Sequence, residues 1–242
     1  MTATELIVVA IAIFTAAFVQ VLSGFGFALL SMPIMTIAIP VKEAVVVSTL
    51  LGMLSTTWQA WHLRADTQRP LAKRLTLSAF VGMPLGLYLL NVVDNDMLRL
   101  GLGIAVIIAT ILLIARINLS HVGPGLDMGV GFVSGVLNTS LSTNGPPLVF
   151  GLQARHLDAA AFRATISTVF AFSNVVGITL FALNGKITAD GLKAAAIALP
   201  AWVIGQGLAW PVRKHVHGER FRILVLSLLF VAGTSTIILA LV

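Results

Sequence analysis

The chain has 242 residues, of which 58% are hydrophobic and only 10% are charged, and its mean hydropathy is +1.01. Soluble domains carry about 25% charged residues, so this composition excludes an ordinary soluble protein and predicts an all-α polytopic membrane protein. The absence of cysteine excludes disulfides and thiolate metal sites. The net charge of +6 does not indicate a nucleic-acid partner, because basic residues of membrane proteins mostly mark cytoplasmic loops.

Apolar stretches predict two groups of five helical segments each. The first group lies at 5–22, 27–40, 43–61, 75–92 and 97–115. The second group lies at 126–137, 145–154, 162–183, 190–210 and 221–241. Asp158 and Thr188 each precede an apolar run and are predicted helix N-caps. We therefore expect an N-terminal repeat, 1–120, and a C-terminal repeat, 121–242, within one integral membrane unit.

The stretch "NTSLSTNGPP", at 138–147, interrupts an apolar run with hydroxyl, amide, glycine and proline residues. A full membrane crossing needs about 20 helical residues, and the flanking segments 126–137 and 145–154 are shorter than that. Irregular backbone persists at membrane depth only where it is buried in protein or lines a water-filled cavity. These features predict a broken or re-entrant helix pair whose tip lies near the middle of the membrane.

The two halves share spaced identities. Residues 17–33 align without gaps on residues 131–147, which places Pro33 opposite Pro147. Further along, the aligned pairs are Gly82 with Gly205, Asp96 with Glu219, and Arg99 with Arg222. Because each half has five segments, an odd number, two related halves must be inverted in the membrane. The expected architecture is a pair of inverted repeats whose broken helices meet near mid-membrane.

The distribution of cations supports five segments per half. One side of the membrane collects eleven: Arg64, Arg69, Lys73, Arg74, Arg116, Arg155, Arg163, Arg213, Lys214, Arg220 and Arg222. The other side keeps four: Lys42, Arg99, Lys186 and Lys193. Counting each broken pair as one crossing would give 7 against 8. The positive-inside rule favours the first arrangement and predicts a multi-pass inner-membrane protein with both termini external.

Two stretches, "SGFGFALLSMPIMTIAIPVKEAVVVSTL" at 23–50 and "NTSLSTNGPPLVFGLQARHLDAAAFRATIS" at 138–167, resemble the paired signatures of the sulfite exporter TauE/SafE family, also called the toluene sulfonate uptake permeases. The likeness covers nearly the whole chain. It implies an inner-membrane anion permease with two duplicated halves, whose substrates are sulfite, sulfonates and related organosulfur anions, and sometimes small carboxylates. Many members carry a glycine triplet where this chain has "GFGF".

The two broken stretches supply the predicted substrate-binding residues. The first contributes Ser23, Gly24, Gly26 and Pro33, and the second contributes Asn138, Thr139, Ser140, Ser142, Thr143, Asn144, Gly145 and Pro146. Hydroxyl and amide groups, together with free N–H groups at a helix start, can donate hydrogen bonds to an anion. The alternative is helix packing through glycine and hydroxyl groups. Arg163 is predicted either as a vestibule charge that attracts anions or as an interfacial anchor.

We expect a secondary transporter for a small anionic substrate in the lipid bilayer, with no cofactor and no metal. An anion channel or an uptake permease for small carboxylates is the alternative, and import and export fit the residues equally. A membrane enzyme is not expected, because carboxylates and histidines lie at segment ends or in loops. His215 and His217 are two apart and do not share a helical face. Gly82 and Gly86 have the spacing of a close helix contact and of a homodimer seam.

Overall fold

The computed structural model describes residues 1–115, 124–153, 155, 157–212 and 219–241. Arg116, Arg213, Lys214, His215 and His217 lie outside this range. The described residues form ten α-helices and a 3-10 turn at Arg64–Asp66, without a strand. The helices are α1 (Ala3–Ser23), α2 (Phe27–Met35), α3 (Val41–His62), α4 (Arg69–Val92), α5 (Asn95–Ala115), α6 (Pro124–Leu141), α7 (Gly145–Gln153), α8 (Ala159–Leu183), α9 (Ala189–Val212) and α10 (Glu219–Leu241). The predicted all-α class and the ten segments are confirmed.

Side-chain caps fix several helix starts. Thr2 and Glu5 form a capping box at α1, in which each side chain accepts from the other residue's backbone N–H. The Asp158 carboxylate accepts from the N–H groups of Ala160 and Ala161 at 2.9 and 2.8 Å, and the Thr188 hydroxyl accepts from the N–H of Gly191 at 3.0 Å. The N-caps predicted at Asp158 and Thr188 are therefore confirmed.

Several predicted boundaries differ from the structure. The segment predicted at 27–40 ends as α2 at Met35, and the segment predicted at 126–137 continues as α6 to Leu141. The extension of α6 has a physical reason, because its polar residues find hydrogen-bond partners on α6 itself and on the neighbouring helices. The hydroxyl of Ser140, for example, donates to the carbonyl of Val136 at 2.7 Å, so residues 138–141 stay helical instead of forming a loop.

Helices from the two halves of the chain pack together in parallel pairs. α4 lies along α6, and α1 lies along α9. In both pairs glycine permits the contact: a Cβ added to Gly82 would collide with the carbonyl of Phe132, and one added to Gly205 would lie 2.7 Å from the carbonyl oxygen of Phe14. α3 packs antiparallel to α8, and α5 packs antiparallel to α10. Gly82 and Gly86 both contact α6, so they are used inside this chain instead of at a dimer seam.

The bundle has two ends. At one end, which we call the terminal face, Met1 lies 3.8 Å from Asp190, and Arg99 bonds the carbonyls of Thr36 and Leu239. Both described chain ends therefore lie at the same face. The opposite end, the basic face, holds these described cations: Arg64, Arg69, Lys73, Arg74, Arg155 and Arg163. The terminal face holds Lys42, Arg99, Lys186 and Lys193.

Five helices among the described residues are long and apolar enough to cross a membrane, judged by length and composition: α1, α4, residues 95–112 of α5, residues 160–183 of α8, and α9. Large apolar side chains such as Val81, Ile111 and Val203 are exposed on the outside of the bundle. The hydrophobic core lies between the helices, around side chains such as Ile13 and Met32. This pattern suits a surface that faces lipid instead of water.

Candidate functional site

The first break separates α1 from α2. Gly24 ends α1 with φ of 85°, and its N–H donates to the carbonyl of Gln20 at 2.7 Å. Gly26 precedes α2 with φ of 92°. Both conformations lie in the left-handed region, which glycine adopts without steric cost. The chain thus turns sharply within three residues, and the shorter α2 packs back along α1.

The second break separates α6 from α7. Ser142 is the only non-glycine residue in the described part of the chain with a positive φ, at 57°. The N–H of Ser142 bonds the carbonyl of Asn138, which is the 5→1 bond of an αL helix ending. The N–H of Thr143 bonds the carbonyl of Leu137. Left-handed backbone at a residue with a side chain costs of order 1 kcal/mol or more and is concentrated at functional sites. α7 then begins at Gly145, directly after Asn144.

The two breaks meet at one cavity. Its lining comprises Gln20, Gly26, Phe27, Ala28, Leu29, Ser48, Gly52, Thr56, Ser142, Thr143, Asn144, Gly145, Phe170 and Asn174. Ser48, Gly52 and Thr56 lie in the middle of α3, so the cavity lies near the middle of the bundle. The centres of water-sized molecules can occupy a volume of about 30 Å³ in this cavity. One water needs roughly 10–15 Å³ by this measure, so the cavity suits a small, largely dehydrated group.

The electrostatics of the cavity favour an anion. No charged side chain of the described residues belongs to its lining. The N-termini of α2 and α7 both lie at it, and each helix N-terminus carries roughly half a positive elementary charge. No side chain caps α2, so the first N–H groups of that helix are available. In α7, Pro146 and Pro147 have no N–H, which leaves Gly145 as the backbone donor of its first turn.

Three buried side-chain atoms at the cavity have no hydrogen-bond partner. They are Oε1 of Gln20, Oγ1 of Thr143 and Nδ2 of Asn144. The residues Gln20 and Thr143 are each 1% exposed, and Asn144 is 7% exposed. A buried polar group without a partner costs about 1–3 kcal/mol. Three of them around one cavity indicate a place where a polar ligand or water completes the hydrogen bonds.

A chain of amides and a hydroxyl forms one wall of the cavity. Nδ2 of Asn138 donates to Oδ1 of Asn174 at 3.1 Å, and Nδ2 of Asn174 donates to Oγ1 of Thr56 at 3.3 Å. On the other side, the hydroxyls of Ser142 and Thr49 are 3.1 Å apart. These bonds join α6 and the second break to α3 and α8. They fix the donors of the second break against the two central helices.

The structure brings five of the predicted site residues to the cavity: Gly26, Ser142, Thr143, Asn144 and Gly145. The others have different surroundings. Asn138 lies behind the lining in the amide chain, whereas Thr139 donates to the carbonyl of Met83 at 2.6 Å and so joins α6 to α4. Ser140 bonds within α6, and Ser23 bonds the carbonyls of Val19 and Phe25. Pro33 is buried in the last turn of α2, and Pro146 lies in the first turn of α7.

Arg163 lies beside the first break and is not part of the cavity lining. A Cβ added to Gly24 would be 2.5 Å from Cγ of Arg163, so the aliphatic part of this side chain packs on the glycine. Arg163 itself is half-buried. This contact explains why α8 carries a cation near its N-terminus, where the helix dipole disfavours one.

Sequence reasoning missed the polar residues that the other helices bring to the cavity. Gln20, Ser48, Thr56 and Asn174 lie in the interior of α1, α3 and α8 and are all buried. A signal was present, because Gln20 and Asn174 are amides inside otherwise apolar segments. Such residues are costly in a membrane and face the protein interior or a cavity.

Three ionised side chains anchor the base of the second hairpin at the basic face. The Asp127 carboxylate, 1% exposed, accepts from Nε of Arg74 at 3.1 Å and from a guanidinium NH2 of Arg155 at 2.6 Å. Asp127 lies at the start of α6, and Arg155 follows α7. The two legs of the hairpin are therefore tied to each other and to α4.

A helical bundle with an apolar outer surface, in which two broken helices point their N-termini into a central polar cavity, is the architecture of a membrane transport protein. The chain belongs to the sulfite exporter TauE/SafE family, whose family model matches residues 9–236. That match covers nearly the whole chain and confirms the family inferred from the two signatures. No curated protein and no solved structure matches the chain significantly.

Proposed function

We propose that the protein is a secondary transporter that moves sulfite, sulfonates or similar small organosulfur anions through the central cavity. The observation that carries this proposal is the cavity itself, where two helix N-termini and unpartnered polar groups converge without a charged side chain among the described residues. Membership of a sulfite exporter family supports the choice of sulfur anions. We propose no enzymatic activity for the chain.

Neutral donors suit a substrate that must also leave. A hydrogen bond from a neutral donor to a charged group contributes about 1.5–3 kcal/mol. A few such bonds, from the Asn144 amide, the Thr143 hydroxyl and the N–H groups of α2, give micromolar to millimolar affinity. A lysine or arginine in the cavity would bind the anion more tightly and slow its release. The apolar side chains of Phe27 and Phe170 in the lining provide a surface for the carbon end of a sulfonate.

We further propose that residues 1–120 and 121–242 are inverted repeats. Equivalent contacts recur in the two halves: Gly82 on Phe132 matches Gly205 on Phe14, and the bond from Gly24 to Gln20 matches the bond from Ser142 to Asn138. The second match corrects the gapless alignment of 17–33 on 131–147. That alignment pairs Gly24 with Asn138, four residues away from Ser142, the left-handed residue that ends α6.

The charge of the two faces supports an orientation in the membrane. We propose that the basic face is cytoplasmic, that the terminal face with both chain ends is external, and that the membrane is the inner membrane. In this orientation the hairpin of α1 and α2 enters from outside, and the hairpin of α6 and α7 enters from the cytoplasm. The two tips then bound the cavity from opposite sides.

The test is anion flux into proteoliposomes that contain the purified protein, with sulfite, methanesulfonate and a small carboxylate as candidate substrates. Asn144→Ala removes an unpartnered donor from the cavity and should lower sulfur-anion flux roughly tenfold, the effect of losing one bond to a charged group. Ser140→Ala is the matched control. Ser140 is close to Asn144 in the chain, but its hydroxyl bonds within α6, so this variant should transport like wild type.

If Asn144→Ala is folded and its flux equals that of wild type, the cavity is not on the transport pathway. Preference for the carboxylate over both sulfur anions would replace the proposed substrate class. Flux that saturates with substrate and accelerates in the presence of substrate on the opposite side distinguishes a carrier from an anion channel.

A further inference from the structure

We propose that the cavity takes sulfite as the monovalent hydrogensulfite ion, and that the side-chain carbonyl of Gln20 accepts a hydrogen bond from the proton of that ion. The inference rests on the proposed function and names the charge state of its substrate. It has two independent supports: the charge balance of the cavity and the chemistry of the unpartnered atom of Gln20.

The charge balance favours a single negative charge. Two helix N-termini together supply at most about one positive elementary charge, and less at α7, because Pro146 and Pro147 have no N–H. The described lining adds no cation. The cost of transferring an ion from water into protein grows with the square of its charge, and is already several kcal/mol for one charge. A dianion in a cavity of about 30 Å³ would lose most of its water without a compensating cation.

The charged groups of the neighbouring elements lie outside the lining of the cavity. Arg163 packs beside Gly24 outside the lining. Asp127 is paired with two arginines at the basic face, and Glu43 lies in the first turn of α3 at the terminal face. No histidine, aspartate or glutamate of the described residues belongs to the lining, so the titrating group in this proposal is the substrate.

Gln20 provides the chemical distinction between the two forms of sulfite. Its Oε1 is buried at the cavity and has no donor. Asn144 Nδ2 and Thr143 Oγ1, also unpartnered, can donate to the oxygens of the anion. The dianion has no hydrogen to offer Oε1, and its oxygens would be repelled by this carbonyl. Hydrogensulfite has an O–H group, so it satisfies the acceptor and the donors together.

This charge state has a consequence for coupling. Each hydrogensulfite ion carries one proton across the membrane with its sulfur, and releases it to water when sulfite forms on the other side. Proton movement then needs no carboxylate relay in the protein. Methanesulfonate, a monovalent anion without an O–H group, should use the same donors and leave Oε1 of Gln20 unpaired.

The test measures initial flux into proteoliposomes at equal pH inside and outside, over the range in which hydrogensulfite loses its proton. At constant total sulfite, flux should fall in proportion to the hydrogensulfite fraction as the pH rises. Methanesulfonate flux should stay constant over the same range, which controls for effects of pH on the protein. Sulfate, a dianion throughout, should not be transported.

Gln20→Met keeps the length of the side chain and removes the acceptor. It should lower hydrogensulfite flux roughly tenfold relative to methanesulfonate flux. The matched control is Gln206→Met, because Oε1 of Gln206 is also buried and unpartnered, but Gln206 lies outside the cavity lining. This control should keep the substrate ratio of wild type.

The monovalent assignment is overturned if sulfite flux is constant or rises with pH, or if sulfate flux is comparable to sulfite flux. Measurements on the wild-type protein are sufficient for this part of the test. An equal loss of both fluxes in Gln20→Met overturns the role of Gln20. If methanesulfonate is transported but sulfite flux rises with the fraction of the sulfite dianion, only this inference fails. If neither sulfur anion moves, the proposed function fails and the inference falls with it.

Discussion

Two glycines in the structure permit a controlled comparison of backbone strain and function. Gly26 has φ of 92° and Gly185 has φ of 63°, and a Cβ added to either would meet no atom within 4 Å. Any other residue should therefore carry a similar backbone cost at both positions, roughly 1–2 kcal/mol. The difference between them is location: Gly26 lines the central cavity, and Gly185 lies in the loop between α8 and α9.

We predict that Gly26→Leu abolishes transport while Gly185→Leu transports at close to the wild-type rate. The leucine side chain at position 26 would occupy space that the substrate needs, because the glycine borders a cavity of only about 30 Å³. Thermal unfolding in detergent should show similar, modest losses of stability for both variants. Equal flux in the two variants would show that Gly26 serves only the turn.

Individual site residues were predictable where the sequence breaks its own pattern. Ser142, Thr143 and Asn144 stand out because polar residues and prolines interrupt an apolar run. Gln20 and Asn174 were not predicted, because a single amide in a helix does not reveal which neighbours surround it. The role of these two amides depends on the packing of α1 and α8 around α3, and that packing brings together residues more than 100 positions apart.

The parallel contact of α4 with α6 depends on small residues. A Cβ added to Gly135 would collide with the backbone of Ala79, and one added to Gly131 would collide with Ser78. Without a hydrophobic force between helices in lipid, close backbone approach is a main source of helix association. Gly129, on the same helix, has open space around its Cα and is exposed.

We predict that Gly135→Ala destabilises the protein and that Gly129→Ala does not. Forcing a methyl group against the backbone of α4 should cost about 1–3 kcal/mol or more, because neither helix can move without disturbing its other contacts. Alanine at position 129 should be neutral or slightly stabilising, since alanine favours helix over glycine. The measurement is the midpoint of thermal unfolding in detergent. A midpoint for Gly129→Ala equal to or below that of Gly135→Ala would contradict the close packing of α4 on α6.

The presence of the helices was predictable from hydropathy, but the positions of their ends were not. α6 runs four residues beyond its predicted end, because Thr139 and Ser140 find acceptors on neighbouring carbonyls. Composition marks such residues as loop formers, and only the three-dimensional partners show otherwise. α4 likewise begins at Arg69 instead of 75, since charged residues in its first turns lie at the basic face, where they need no apolar partner.

The two faces of the bundle give a prediction for topology. The chain contains no cysteine, so single cysteines at Ala65 and Asn184 report accessibility without background. Both positions are exposed, Ala65 at the basic face and Asn184 at the terminal face. A membrane-impermeant thiol reagent should label Asn184→Cys in intact cells, and Ala65→Cys only after the membrane is opened. The reverse pattern would invert the proposed orientation, and labelling of both in intact cells would contradict two opposite faces.

The pairing of α1 with α9 and of α4 with α6 has a consequence for biosynthesis. Each hairpin that forms the cavity packs along a helix from the opposite half of the chain. The ribosome makes roughly 190 residues between the end of α1 and the end of α9, which takes about 10–40 s at 5–20 residues per second. During that interval Thr56 and Gln59 of α3 lack their partners Asn174 and Ser167 of α8, so the nascent first half must be held in the membrane until the second half arrives. A truncated product that ends near residue 120 would keep those polar groups unpaired and become a substrate for membrane proteases.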